Sequence, residues 1–359
     1  GEKKTARYRW NWLKRAYRSA GDFTNLFNLV DAVNSSSPEP YTSSTMAVAD
    51  IEQWMRLFAF EHIINNFDSW GHEIAKNMFA YKPKRGKWQI YAIDLDWLML
   101  VSPNYNSSRY SNGNGPLFIA EDPAVQRMYN HPPFQRAYYR AVQDAVDGPM
   151  LSENCDPVMD AKYNLLVANG INRCDGSSLA SPAAVKRWFS DRRRVLLGQL
   201  ALVASDFSVT ATATNGNLVT LTGTAPISVK TLNVNGLAYE PVWTSVTAFT
   251  LNVPLLVVGT NRLAISGTDL RGQPVANASA TLEVVYAGQD AAPADWIRIN
   301  EIGAWPAVPG ASFVELCNAS TQYAFDIGGW RLAGLDYTFP AGTVFLPNRY
   351  LVLAQDRDA

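Results

Sequence analysis

Near Asp206 the sequence changes period, and one layer of secondary structure cannot serve both sides of the change. Upstream, apolar residues recur at helical spacing. In "DIEQWMRLFAFEHIINNF", Ile51, Trp54, Met55, Phe58 and His62 share one face, and Asp50 is placed to cap the helix. "PAVQRMYNHPPFQRAYYRAVQDAV" predicts helix interrupted at Pro132 and Pro133. "SPAAVKRWFSDRRRVLLGQLALVA" predicts a helix with Ser181 as cap and Pro182 in its first turn, its "DRRR" read as a solvated face. Downstream, "FSVTATAT", "LVTLTGTA", "AFTLNVPL" and "ATLEVVYA" alternate with period two between frequent turn signals, the pattern of a β-sandwich. The expected organisation is a mainly helical α+β domain over 1–205 and a sandwich over 206–287. A small-residue linker over 288–295 and a second β domain over 296–359 follow.

Composition excludes some classes. Hydrophobic residues make up 47% and charged residues 18%, so the chain is globular rather than disordered. A net charge of −1 gives no global electrostatic case for nucleic acid. No apolar run reaches the ~20 residues of a membrane helix. Cys155 and Cys174 stand in polar, turn-like settings, open either to a disulfide or to two thiols; Cys317 reads as a half-buried strand residue.

The chemistry concentrates in "NNFDSWGHEIAKNMFAYKPKRGKWQIYAIDLDW", residues 65–97. "NMFAYKP" and "GKWQIYAID" read as two strands around a turn. With the turn centred on Arg85–Gly86, Lys84 faces Lys87 and Asn77 faces Asp94 at the open end. If the strand persists, Asp94 and Asp96 point the same way. Asp68 ends the preceding helix. Asp, then Asn, then hairpin, then Asp is the order of a protein-kinase active site, in which carboxylate and amide oxygens hold Mg²⁺ on phosphates and a separate carboxylate orients the attacking hydroxyl. Ordinary turn chemistry also places Asp and Asn at hairpin ends, and "DLD" matches the D-x-D metal motif of nucleotide-sugar glycosyltransferases. Among the histidines, His62 reads as a helix residue and His72 as a loop residue near the site.

These residues resemble the spore coat protein H (CotH) kinase family. The likeness rests on "FDS" (67–69), "NMFAY" (77–81), "GKWQIYAIDLDW" (86–97), "RAYYRAV" and "RWFSDRR" and covers roughly residues 1–200. It implies ATP- and Mg²⁺-dependent (or Mn²⁺-dependent) phosphorylation of Ser or Thr on secreted, surface or coat proteins. Asp68 would be the catalytic Asp, Asn77 and Asp94 the nucleotide- and metal-side residues, and Asp96 a further metal carboxylate. The Asp68-to-Asn77 loop is longer than the family's usual form, and Ala92-Ile93 replace its Pro-Trp. The family's N-terminal lobe is expected to precede residue 1. The basic opening with Lys3, Lys4, Arg7 and Arg9 is expected to form a helix packed on the domain.

"IRINEIGA", "SFVELCNAS", "FDIGGWRLAG" and "YTFPAGTVFLPNRYLVLA" resemble a lamin-tail domain, and "LNVNGLAYEPVW" a bacterial immunoglobulin-like module; Trp243 and Trp330 read as packing residues. Together the resemblances imply a bacterial extracellular or cell-surface protein. The alternative they leave is a catalytically inactive kinase-like scaffold or adhesin.

Overall fold

The computed structural model describes residues 3–16, 21–95, 98–99, 113–174, 177–289 and 291–356. Two compact units emerge, Gly1–Ala204 and Ser205–Ala359.

The first unit carries eight helices among the described residues: α1 (Thr5–Asn11), α2 (Thr24–Val33), α3 (Tyr41–Val48), α4 (Ile51–Ile63), α5 (Pro123–Tyr129), α6 (Pro132–Val146), α7 (Ser152–Ala168) and α8 (Ala183–Ala201). One hairpin, β1 (Met78–Tyr81) with β2 (Gln89–Ala92), lies between α4 and α5. Asp50 caps α4 by accepting the Gln53 N–H at 3.3 Å. The α4 stripe Ile51, Trp54, Met55, Phe58, Ala59 and His62 is buried, as its spacing demands. Phe58 meets Trp70 and Tyr129 edge-to-face, with ring centroids 5.6 and 5.7 Å away. The helical region is interrupted at the paired prolines as expected: α5 ends at Tyr129 and the prolines open α6, where a first-turn N–H has no intrahelical acceptor to lose. At α8 the cap position falls on Pro182, not Ser181, and no side chain caps it. Cys155 sits on α7 rather than in a turn, and all three cysteines are free thiols.

The hairpin is docked on α4 by Gln53, whose carboxamide acts as a short third strand. Its Nε2 donates to Ile90 O at 2.6 Å, and its Oε1 accepts the Ile90 N–H at 3.1 Å. Trp88 is held at the α3–α4 junction: its N–H donates to Val48 O, and its carbonyl accepts from Asp50 N and from Trp54 Nε1. That capture shifts the register. Met78 pairs with Ala92 and Tyr81 with Gln89, so the turn centres on Arg85, the pairing slips by one residue, and Asn77 falls opposite Ile93, not Asp94. β2 ends at Ala92, so Asp94 does not continue the strand.

In the second unit, four strands (Ser208–Asn215, Leu218–Thr224, Ala248–Pro254, Val242–Trp243) form one sheet. Another four (Pro274–Tyr286, Gly259–Thr268, Thr231–Val234, Leu237–Tyr239) form its partner. Val219, Leu221, Leu232, Phe249, Leu251 and Ile265 fill the space between them. Asn235 and Gly236 take φ of 51° and 83°, the left-handed pair that an Asn-Gly hairpin turn requires. Trp243 packs edge-to-face on Phe249 at 5.6 Å. A three-stranded sheet (Ile297–Gly303, Phe313–Asn318, Arg349–Ala354) follows, with Val314, Leu316, Phe325, Ile327, Phe339 and Phe345 as its core. The Asn217 side chain joins the two β regions, accepting from Ala324 N and donating to Ala324 O, each at 2.8 Å. Among the described residues, no helix is long and apolar enough to cross a membrane.

Candidate active site

The loop from Asn65 to Asn77 leaves the C-terminus of α4 and delivers Asp68 to the start of the hairpin. Asn65 turns the chain with φ of 53°, a left-handed conformation that Asn tolerates better than most residues. Arg192 on α8, fully buried, braces this exit. Its guanidinium donates to the carbonyls of His62 (2.6 Å), Ile63 (3.1 Å), Gly113 (2.7 Å) and Gly115 (2.6 Å). The positive group also suits the negative end of the α4 dipole. The middle of the loop is tied to α5. Trp70 Nε1 donates to Asp122, Tyr129 Oη donates to Gly71 O, and the Glu121 N–H donates to His72 O. Gly71 lies so close to Phe58 that a Cβ there would meet the ring at 2.3 Å.

On this frame Asp68 is 8% exposed. Its Oδ2 accepts from Asn77 Nδ2 at 3.0 Å and from Lys76 Nζ at 2.9 Å. Its Oδ1 is buried and has no hydrogen-bond partner among the described residues. A buried carboxylate oxygen without a donor is costly in a purely structural role. Asn77, with its amide nitrogen turned to Asp68, has its carbonyl oxygen at the other end of the group. Asn77 and Asp94 both adopt left-handed backbone, φ of 58° and 61°, and flank the hairpin base, where the Ile93 N–H donates to Asn77 O at 3.3 Å. Asp94 is exposed and pairs with nothing among the described residues. The structure thus joins Asp68 to Asn77 directly and brings the Asp94 backbone beside the pair; Asp96 lies outside the described residues.

The Asn77 carbonyl oxygen and the Asp94 carboxylate are the hard-oxygen groups at the hairpin base that could serve a divalent cation. Among the described residues, no group of three or more His, Cys, Asp or Glu is placed to hold a metal.

Two buried neighbours escaped the sequence reading. Glu61 accepts from Asn66 Nδ2 at 2.6 Å, and the Asn66 N–H donates to Glu61 O at 2.8 Å, which anchors the loop two residues before Asp68. Burial pushes the Glu61 carboxyl up to about 7, against the Asn66 hydrogen bond that favours the ionised form. Burial pushes the adjacent His62 down to about 4, so its ring is neutral at pH 7. His62 stacks on His72 at 4.4 Å, and both rings are fully buried packing groups. Arg192 corrects the reading of "DRRR" as a solvated face: its neighbour Arg194 is exposed, but Arg192 is interior.

Residues 2–179 match the family described as CotH kinase protein. The N-terminal domain is a CotH kinase domain. Residues 290–359 match the Lamin Tail Domain, so the CotH domain precedes a lamin tail domain in one chain. No curated protein matches the chain. The CotH match carries a kinase-related function at the level of the family, and the Asp68–Asn77 pair lies inside the matched segment.

Proposed function

We propose that the CotH domain transfers the γ-phosphoryl group of ATP to Ser or Thr hydroxyls of extracellular surface or coat proteins. The observation that carries this reading is Asp68: a buried carboxylate with one oxygen held by Asn77 and Lys76 and the other without a partner among the described residues. An oxygen in that state suits the acceptance of a hydroxyl proton. Asn77 and Asp94, with Asp96 as a further carboxylate, would hold Mg²⁺ or Mn²⁺, and the bound ion would neutralise charge on the phosphate oxygens.

In the transfer, the substrate hydroxyl oxygen bonds to the γ-phosphorus and its proton passes to Asp68 Oδ1. The bond from that phosphorus to the bridging oxygen breaks, and its electron pair leaves with ADP. The chain's own residues orient the hydroxyl and fix the carboxylate; positioning and electrostatics supply most of the rate. The region 206–287 and the lamin tail domain serve attachment or spacing in this reading, outside the cell and without nucleic acid.

Nucleotide-dependent thermal stabilisation of the full-length protein tests it, since a ligand that binds the folded state alone raises Tm. ATP with Mg²⁺ is expected to raise Tm and nucleotide sugars are not. A response to nucleotide sugars alone would move the D-x-D residues to glycosyl transfer.

A further inference from the structure

We infer that Lys76 is a positioning residue for Asp68, fixing which carboxylate oxygen receives the proton. The inference rests on the kinase reading of the site. Lys76 and Asn77 are consecutive, and consecutive side chains of extended backbone point to opposite sides. Here both end on the same atom, Asp68 Oδ2. The local backbone explains how. The Lys76 N–H closes on Ile74 O at 2.6 Å, and Asn77 is left-handed, so the chain doubles back on Asp68. With both donors on Oδ2, Oδ1 is the oxygen left for a substrate.

The Lys76 side chain is 54% exposed, and such an ion pair contributes little, because ordering a long side chain offsets the attraction. The Asp68 side chain, by contrast, is 11% exposed, and a carboxylate taken that far out of water needs a counter-charge close by. Lys76 supplies it at the boundary between the buried carboxylate and solvent.

The test is steady-state phosphorylation by the full-length protein, comparing Lys76→Met, Lys76→Arg, Asp68→Asn and the double variant Lys76→Met/Asp68→Asn. Lys84→Met, on the exposed hairpin turn, is the control. Lys76→Met is expected to lower kcat about tenfold or more while KM for Mg·ATP stays within about twofold. Lys76→Arg should recover most of the loss. Once Asp68 is Asn, Lys76→Met should add nothing, because a residue that acts through Asp68 has no effect without it. Wild-type kcat in Lys76→Met, a loss confined to KM, or an independent loss in the double variant would overturn the assignment and leave the kinase reading standing. An inactive wild-type protein would overturn both.

Discussion

Glu61→Gln is expected to stabilise the CotH domain above neutral pH and leave it unchanged in acid. Glu61 is 2% exposed, and burial raises its carboxyl from an ordinary 4.5 to about 7. At about 1.4 kcal/mol per tenfold change in proton affinity, the ionised form is disfavoured in the fold by about 3 kcal/mol. The sign follows from proton binding. Between pH 4.5 and 7 the unfolded chain has lost the proton and the native protein keeps it, so stability falls as pH rises through that window. Gln keeps an oxygen for the Asn66 amide and carries no charge to bury. The variant should therefore exceed wild type by about 3 kcal/mol at pH 8 and by about zero at pH 4.5. Urea denaturation across pH, read by hydrogen exchange on α4 peptides, measures the difference. An equal effect at both pH values, or a destabilised variant at pH 8, would refute the reasoning.

Other outcomes follow from the same contacts. His62, neutral and buried with its proton affinity lowered to about 4, opposes Glu61: stability from this group falls by about 3 kcal/mol as pH drops from 6.5 to 4, because the unfolded chain takes the proton first. Wild type should thus be nearly flat between pH 4.5 and 6.5, and Glu61→Gln should show the His62 slope alone in acid titrations. Arg192→Met should cost more than about 3 kcal/mol in urea melts, since it strands buried carbonyls at His62, Ile63, Gly113 and Gly115. Gln53→Leu leaves the Ile90 N–H and C=O without their partner; a loss of about 2 kcal/mol and faster exchange at the Ile90 amide are expected.

The candidate site was legible in the sequence because its residues are few, polar and placed around one hairpin. Asp68 and Asn77 meet as their order suggests. The geometry between Asn77 and Asp94 was not legible. The turn looked centred on Arg85–Gly86, but Trp88 is drawn to the α3–α4 junction, and the resulting one-residue slip moves Asn77 opposite Ile93. Such a slip depends on a tertiary contact that local turn chemistry does not encode. Arg192 was hidden for a related reason. Within "DRRR" nothing separates it from Arg194, and it becomes interior only where α8 meets the end of α4 and the 113–115 segment. Lys76 lay in view beside Asn77, but only the folded loop puts its ammonium on Asp68. The change of period near Asp206 was sufficient to separate helical from β architecture, because periodicities of 3.6 and 2 bury different faces.

The most direct test of phosphoryl transfer at Asp68, Asn77 and Asp94 is mass spectrometry of the full-length protein, incubated with ATP and Mg²⁺ alongside Asp94→Ala. Phosphate on Ser or Thr in the wild-type sample, and its loss in Asp94→Ala, is the predicted result. Phosphate on neither, or equally on both, would contradict the account. The first of these results, with no Tm response to ATP, would leave the kinase-like domain as a surface scaffold.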